Sequence, residues 1–493
     1  MLKSYSVTDE VETHFSSAVK QFELMIDTLK NDDSLKKEHG DIEQCLNTQG
    51  HELLRRLLQA HFDLRADNEV VRESIEGTDG VERTHRRPMV RKKIASLFGE
   101  VYLHRVGYSQ RSASALYPMD MSLNLSPTKY SDGLRYRLSE EAARNSFDES
   151  IHSISSTTGG HVPKRQCEQI VSEVAQDFES YYEDTYVEEK DYSNLLVTTC
   201  DSKGIVMRKQ DLRPATRKAA EAEKASRVRL SPGEKKNRKR MATAASVYSV
   251  DRSYRSAEQI MDTATQKPKR PVIENKRVWA SVERGQETVI NEAFEEAASR
   301  DPDFLREWVT VVDGELTQLS YIHKKLKELG CKSTIILDFI HVLEYLWKAS
   351  HCFNKVGSVE AEKWVQEKAI GVLNGKSSDI AAGMRRSATR RNLSQTKRKA
   401  VDKCADYLQN NKQYLKYDVY LKKGYPIASG VIEGACRHLI NDRLGITGAR
   451  WGLTTAEAVL KIRSLRSSGD FEDYWKFHKK KELDRNHCSK YKE

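Results

Sequence analysis

Hydrophobic residues along the chain follow two different spacings. Within residues 11–30 and 49–67 they lie three and four positions apart with few helix breakers, which predicts that residues 1 to about 85 form helices. From Lys92 to Gln110 they alternate with polar residues around Gly99, a pattern typical of a β-hairpin. The chain therefore begins with a mainly helical region followed by a small hairpin.

The helical spacing returns in three segments between Asp132 and Tyr182. Ser146 and Glu149 have the spacing of a capping box before the second segment, and the third segment opens at Pro163 after two glycines. Two helices joined by a short glycine-containing turn are typical of a helix-turn-helix, with simple helix packing as the open alternative. On the first interpretation, three residues face DNA: Lys164, Arg165 and Gln166.

The pattern changes again between Ser193 and Glu344. Residues 194–208 predict a strand, a turn at DSKG and a second strand, and residues 240–252 predict a third strand. A helix, a fourth strand ending in VVDG, a helix closed by Gly330 and a fifth strand entering a helix follow. The order βββαβαβα is that of a ribonuclease-H-like α/β fold with a mixed five-stranded sheet.

Two aspartates occupy special places in such a sheet. The first strand is central and the fourth lies beside it, so Asp201 in the first strand and Asp313 at the end of the fourth are expected to approach each other. Carboxylates held close together repel unless a cation neutralises them, and Mg²⁺ prefers oxygen ligands. The pair predicts a divalent-cation site, although a single Asp-Gly is also an ordinary turn.

A third acidic residue follows a long helical and basic region at residues 346–425. Ser429 is expected to cap a helix, with Glu433 in its first turns. Arg437 falls four residues later on the same face, where a surface ion pair is the alternative to a functional role. Three nearby residues are candidates for phosphate contact and base stacking: Arg443, Arg450 and Trp451.

The composition of the 493 residues, 38% hydrophobic and 31% charged, is typical of a soluble globular protein. No apolar run of about 18 residues and no signal-peptide core appear, so we expect a cytoplasmic, nucleoid-associated protein without a membrane partner. The eight cysteines lack paired spacing, which predicts reduced thiols.

The net charge of +10 is unevenly distributed along the chain. Arg208–Arg240 holds thirteen basic residues against four acidic ones, and Arg385–Lys399 holds seven against none. Such runs are often only solvated surface. Two of them on either side of a carboxylate site favour a polyanionic partner such as nucleic acid.

Longer motifs make a family resemblance visible: SLFGEVYLHRVGY, YPMDMSLNLSPTKYSDGLR, ARNSFDES, DFESYY, VVDGELTQL, LDFIHVLEYLWKAS and ASGVIEGACRHLINDRLGITGARWG. From about Lys92 to Lys476 the chain resembles bacterial insertion-sequence transposases of the ISKra type. The resemblance implies a DDE transposase whose ribonuclease-H-like core is interrupted by a helical insertion before the last glutamate.

On this chain the resemblance implies catalytic and metal-binding roles for Asp201, Asp313 and Glu433. The LDFIH segment is similar to the Asp-x-x-His signature of Mutator-like transposases, which marks Asp338 and His341 as supporting residues and leaves Asp338 a rival to Asp313 as second acid. Asp201 departs from the family in being followed by Ser202 instead of glycine.

The expected chemistry is DNA hydrolysis and strand transfer with two Mg²⁺ ions, for which Mn²⁺ is a possible substitute. The expected partners are double-stranded DNA, as terminal inverted repeats and target, and further copies of the chain in a dimer or larger oligomer. A nuclease or junction resolvase on the same fold, and a catalytically retired DNA-binding protein, are the alternatives. The expected regions are residues 1–90, 91–190, 191–345 with a basic insertion at 208–240, 346–425, 426–480 and 481–493.

Overall fold

The computed structural model describes residues 9–185, 194–222, 237–262, 271–446 and 448–491, with side chains from residue 13 onward. It contains two compact units. Unit 1 consists of Met1–Tyr182 together with Phe471–Glu493, and unit 2 consists of Glu183–Asp470. In the described ranges, no helix combines the length and the apolar character needed to cross a membrane.

Unit 1 begins with two long helices and a hairpin, as the hydrophobic spacing predicts. Helices α1 and α2 pack against each other, and α2 also packs against β4. The hairpin strands β3 and β4 pair from Ser96↔Gly99 to His85↔Ser109, so the hairpin begins earlier than the predicted Lys92. The bounds are α1 (Asp9–Lys30), α2 (His39–Asp67), β1 (Ile75–Glu76), β2 (Glu82–Arg83), β3 (His85–Ser96) and β4 (Gly99–Ser109).

Five helices follow the hairpin: α3 (Pro118–Ser122), α4 (Asp132–Arg144), α5 (Phe147–Thr157), α6 (Lys164–Val174) and α7 (Phe178–Asp184). Helices α4, α5 and α6 pack against one another. The predicted capping box is confirmed, because the Glu149 amide donates to Ser146 Oγ and the Ser146 amide donates to the Glu149 carboxylate. Pro163 is the N-cap of α6 and lies just outside its first turn.

Unit 2 contains a mixed five-stranded sheet in the order β7-β6-β5-β8-β9. Its first strand is central and its fourth strand lies beside it, as predicted. Strands β5, β6 and β7 are antiparallel neighbours, whereas β8 runs parallel to both β5 and β9. The bounds are β5 (Leu195–Val206), α8 (Pro214–Ala222), β6 (Lys239–Val250), α9 (Ala257–Ile260), β7 (Ile273–Ser281), α10 (Gln286–Arg300), β8 (Trp308–Val312), α11 (Leu316–Leu329), β9 (Ser333–Leu337) and α12 (Phe339–Ser350).

The assignment of the first three strands differs from the prediction. Residues 194–208 do not turn at DSKG: β5 continues through it, and the pairs Asp201↔Ala244 and Gly204↔Met241 belong to one ladder with β6. The third strand is β7, which the sequence did not predict because its first four residues are exposed and three of them are polar. Pairing along the whole length of β6 outweighs the local turn preference. The βββαβαβα order was therefore right, but its second and third strands were assigned to the wrong residues.

The predicted helical region between the fifth strand and Glu433 is confirmed. It comprises α13 (Val359–Leu373), α14 (Ser377–Arg390), α15 (Gln395–Asn410) and α16 (Tyr417–Lys422). Helix α17 (Gly430–Ala435) then passes into a π-helical segment, Cys436–Asn441, and the unit ends with α18 (Asp442–Leu444) and α19 (Leu453–Ser468). Helix α17 packs against β5 and β6, which brings the Glu433 segment to the central strands.

The last helix, α20 (Phe471–Asn486), belongs to unit 1 and is attached by buried ion pairs. Both terminal guanidinium nitrogens of Arg135, on α4, donate to Glu482 at 2.7 Å. His478 Nδ1 lies 2.7 Å from Asp177 Oδ2, and Arg485 donates to the same aspartate at 2.9 Å. We call these five residues the α20 ion network.

Candidate active site

Asp201 and Asp313 lie beside each other on the two central parallel strands. Strand β5 pairs with β8 through Thr198↔Thr310 and Thr199↔Val311. Two residues further along both strands, the same register sets Asp201 opposite Asp313. The ladder opens at this point, because the Cys200 carbonyl accepts a hydrogen bond from Gln318 Nε2 at 2.9 Å. The sheet therefore presents two carboxylates where its central strands begin to separate.

The electrostatics of Asp313 reflect this neighbourhood. Burial raises the pKa of the Asp313 carboxyl above its usual value, and the negative charge of Asp201 adds to the rise. The Glu315 amide, which donates to Asp313 Oδ1 at 3.1 Å, and the nearby His341 act in the opposite direction on the same pKa. Since the raised pKa persists against both, the carboxylate lacks sufficient positive compensation.

Asp201 is held by three neighbours on its own side of the site. Lys203 Nζ lies 2.9 Å from its Oδ2, and the Ser202 amide donates to its Oδ1 at 2.6 Å. The buried Cys436 thiol, from the π-helical segment, also lies against it: burial raises the thiol pKa, and the Asp201 charge adds to the rise. Asp201 remains 18% exposed, so a ligand has access to it.

The backbone after Asp313 is fixed from the helical region. Tyr407, on α15, donates its hydroxyl to the Asp313 carbonyl at 3.1 Å, and its ring stacks on Tyr345 with centroids 4.2 Å apart. Gly314 has a φ of 88°, and a Cβ there would lie 2.9 Å from a Leu337 methyl carbon. Left-handed backbone and close packing together require glycine at this turn.

Asp338 is buried, and both of its carboxylate oxygens are engaged. Oδ1 accepts the Ile340 amide at 2.8 Å as the N-cap of α12, and Oδ2 accepts the Ser429 hydroxyl. Ser429 stands at the predicted N-cap position of α17, but its side chain makes no cap hydrogen bond because the hydroxyl is directed to Asp338 instead. The Asp338–Ser429 bond thus joins the end of β9 to the start of the Glu433 helix.

Glu433 is exposed on α17, and its convergence with the two aspartates stays a prediction. Cys436, three residues further along the same segment, reaches Asp201. Across the described ranges, no group of three His, Cys, Asp or Glu side chains is close enough to hold a metal ion. The structure therefore brings together Asp201 and Asp313, with His341 near them.

The four residues after Glu433 that were predicted to contact DNA divide into two kinds. Arg437 and Arg450 are exposed, and Arg437 lies 3.9 Å from Asp442 instead of pairing with Glu433. Arg443 and Trp451 contradict the prediction, because they are only 2% and 6% exposed. The Arg443 guanidinium lies over the Trp451 ring at 4.8 Å, and Trp451 Nε1 donates to the Leu444 carbonyl, so both residues stabilise the loop between them.

The predicted helix-turn-helix residues lie in the first turn of α6. Lys164 pairs with Asp148 of α5 at 2.5 Å, Arg165 is exposed, and Gln166 donates to Gln169 at 3.4 Å. The role of these three residues in DNA reading stays a prediction.

The basic runs are only partly available to a ligand. In Arg385–Lys399, Arg385 pairs with Asp406, and Arg398 pairs with Asp402 at 2.9 Å. Arg386 and Arg390 of the same run are exposed. In the other run, residues 223–236 lie outside the described residues, whereas Arg238 and Lys239 are exposed and line a cleft of about 560 Å³ together with Arg450.

Three members of the site were not predicted from the sequence: Lys203, Tyr407 and Cys436. Lys203 had a usable signal, since residues two apart on a strand share a face, but the predicted turn at DSKG concealed it. Tyr407 and Cys436 reach the site from distant helices. No local pattern indicates such contacts.

The comparisons with known proteins are sparse. No protein-family model and no curated protein matches the chain. Among solved structures, the chain is similar to a Drosophila P element transposase strand transfer complex, with 10% sequence identity and a TM-score of 0.24 over 76% of this chain and 84% of that one.

Proposed function

We propose that unit 2 is a ribonuclease-H-like catalytic core and that the chain is a DDE transposase, which cleaves and joins DNA at the ends of an insertion sequence. The observation that carries the proposal is the pair Asp201 and Asp313, set side by side where two central parallel strands separate. Repulsion between close carboxylates makes such a pair unfavourable unless a cation binds there.

The donor set fits a hard divalent cation. Both side chains offer carboxylate oxygens, and Mg²⁺ is commonly held by one or two carboxylates, waters and substrate phosphates. The Lys203 ammonium, 2.9 Å from Asp201, already places one positive charge at this position. Asp201 and Asp313 would hold Mg²⁺, or Mn²⁺ in its place, and Glu433 would complete the site for two ions.

When bound, the metal supplies Lewis-acid stabilisation of the phosphate and activation of the attacking oxygen, first of water and then of a DNA 3′-hydroxyl. The protein side chains hold the reacting groups in place. Tyr407 fixes the Asp313 backbone, and the Asp338–Ser429 bond ties the Glu433 helix to the sheet. His341 moderates the charge of Asp313, which is the supporting role proposed for it. Asp338 is the weaker candidate for second acid, since it is only 2% exposed and both its oxygens are bonded inside the fold.

DNA phosphates are proposed to bind exposed basic residues. Arg238, Lys239 and Arg450 line one cleft of unit 2, and Arg386 and Arg390 are exposed on α14. Lys164, Arg165 and Gln166 are proposed to contact the element ends. Joining two ends favours at least two copies of the chain in the working complex.

The test uses duplexes carrying the element ends, incubated with target plasmid and Mn²⁺. We expect Asp201→Asn and Asp313→Asn each to lower cleavage by more than about a hundredfold, since loss of a residue that merely supports a metal ligand lowers activity by about 10–100-fold. Asp303→Asn, at an exposed aspartate just before β8, is the matched control with unchanged cleavage. Full activity in either active-site variant would refute the assignment.

A nuclease or resolvase with the same two acids is the second candidate. It would cut the duplex but leave pre-cut ends unjoined to target plasmid. Joined products that disappear in Asp313→Asn identify a transposase. A retired DNA-binding protein would bind the duplex without cleaving it.

A further inference from the structure

One lysine ammonium lies against the first of the two carboxylates. Lys203 Nζ lies 2.9 Å from Asp201 Oδ2, and the two residues share one face of β5 because they are two positions apart. The Lys203 charge interacts with Asp313 as well as with Asp201. A single ammonium group thus lies in the field of both carboxylates.

This pair differs from an ordinary surface salt bridge. Asp201 is only 18% exposed and Lys203 39% exposed, and the pair lies where β5 and β8 separate. The Lys203 side chain is flexible and reaches back along its own strand to Asp201. Only this side chain has to move for the ammonium to withdraw into solvent, so the sheet is not rearranged. The arrangement suits a cation that is present in one state of the site and absent in another.

We infer that Lys203 is an internal counter-ion: its ammonium neutralises Asp201 and Asp313 in the metal-free protein, and a divalent cation must displace it on binding. The inference rests on the proposed metal site. Lys203 is a positioning residue, because it holds the two acids together before the metal arrives. Its withdrawn ammonium then lies beside the site, free to meet an incoming phosphate.

Displacement predicts opposite effects of one substitution on two measurable quantities. Lys203→Met leaves two carboxylates facing each other without compensation, so the metal-free protein melts at a lower temperature. The same change removes the competing cation and its repulsion of the metal, so Mn²⁺ binds roughly two- to fivefold more tightly, the range expected from a partly exposed ion pair. The increase in melting temperature on adding Mn²⁺ is therefore larger in the variant than in the parent protein.

The experiment is titration of the full chain with Mn²⁺ by calorimetry, alongside thermal melts with and without Mn²⁺. Lys324→Met is the matched control. Lys324, on α11, pairs with Glu287, on α10, at 2.7 Å, and the loss of this pair should leave Mn²⁺ affinity unchanged. Lys203→Arg, which keeps the charge, should bind Mn²⁺ no more tightly than the parent. If Lys203→Met does not fold, Lys203→Gln replaces it. The Mn²⁺ affinity of Lys203→Gln is then compared with that of Lys203→Arg.

The outcomes separate this inference from the proposed function. If Mn²⁺ binding is absent in the parent protein, or is unaffected by Asp201→Asn, the metal site itself is refuted. If Mn²⁺ binds in an Asp201-dependent manner but Lys203→Met and Lys203→Gln bind it equally or less tightly than the parent, the counter-ion role is refuted while the metal site stands. Tighter binding with a lower metal-free melting temperature supports the inference.

Discussion

Two clusters of charged residues in this protein are built in opposite ways. In the α20 ion network of unit 1, every carboxylate meets a guanidinium or imidazole: Glu482 binds Arg135, and Asp177 binds His478 and Arg485. In the candidate active site of unit 2, two carboxylates share one lysine. The first cluster is buried and compensated, and the second is partly exposed and short of positive charge.

The pKa values of two aspartates express the difference. Burial alone would raise the pKa of Asp177, but hydrogen bonds from His478 and Arg485 bring it below its usual value. Burial raises the pKa of Asp313, and neighbouring groups do not reverse the rise. A compensated carboxylate stabilises the fold, whereas an uncompensated one is retained where a ligand supplies the missing charge.

The largest effect is expected in the compensated cluster. Arg135→Met leaves the buried Glu482 without its guanidinium partner and with only His478 Nε2 3.6 Å away, which should lower the free energy of unfolding of unit 1 by about 3–5 kcal/mol. Hydrogen exchange of α4 and α20 in increasing urea measures the loss. The double variant Arg135→Met with Glu482→Gln removes both charges and should recover part of the stability; a double variant as unstable as the single one would contradict the charge explanation.

A smaller loss is expected from breaking the bond between β9 and α17. Ser429→Ala removes a hydroxyl donor to the buried Asp338 carboxylate and should destabilise unit 2 by about 1.5–3 kcal/mol. Faster hydrogen exchange in residues 430–441 would report the loosened attachment. Ser358→Ala, which removes the serine N-cap of α13, is the control and should affect exchange only near that helix.

Removing each of the two aspartates should change stability in opposite directions at neutral pH. Asp177→Asn loses charge-assisted hydrogen bonds and should destabilise the protein by roughly 1–2 kcal/mol, whereas Asp313→Asn removes a poorly compensated charge and should stabilise the metal-free protein. The usual value is 3.8 for both carboxyls.

The pH dependence of these two variants follows from the direction of each shift. The contribution of Asp177, whose folded pKa is lowered, is complete above 3.8 and is lost as pH falls through the folded pKa. The destabilisation by Asp313, whose folded pKa is raised, develops as pH rises from 3.8 through the folded pKa. Melting temperatures are measured between pH 4 and 8, a range of about four units that spans the titration of Asp313. The amount by which Asp313→Asn melts above the parent protein should increase with pH over this range. A difference in melting temperature that stays constant would contradict the account.

The smallest effect concerns the backbone after Asp313. Tyr407→Phe removes one neutral hydrogen bond and should lower stability by about 1 kcal/mol, together with a modest loss of Mn²⁺ affinity. Tyr345→Phe keeps the ring that stacks on Tyr407 and should leave Mn²⁺ affinity unchanged. Equal Mn²⁺ affinities for Tyr407→Phe and the parent protein would show that the hydroxyl does not position the carboxylate.

Sequence periodicity predicted the long elements and the central pair well. Apolar runs such as residues 308–312 are buried on both faces, and the order of strands and helices then determines which strand ends meet. Asp201 and Asp313 were therefore found from the sequence, although Asp201 was placed beside a turn that does not exist. Strand β7 was missed because its exposed half resembles a polar loop.

Side-chain environments were harder to predict than elements. Arg443 and Trp451 have the residue types of a nucleic-acid surface, yet they stack on each other inside a loop. Residue type alone does not reveal burial, because an arginine in a loop can be buried when its guanidinium stacks on an aromatic ring. The same limit applies to Ser429, whose hydroxyl bonds to a residue that lies far away in sequence.

The position of α20 in the chain has a consequence for biosynthesis. Unit 1 is assembled from two segments of the chain, which are separated in sequence by all of unit 2. Arg135 lies in the first segment and its partner Glu482 in the second. Since a polypeptide emerges from the ribosome in order, the amino-terminal helices meet their last partner only after residues 183–470 have left the exit tunnel. Any product that stops short of α20 leaves Arg135 with Asp132 but without Glu482, so incomplete chains lack the bidentate ion pair that attaches the last helix of unit 1.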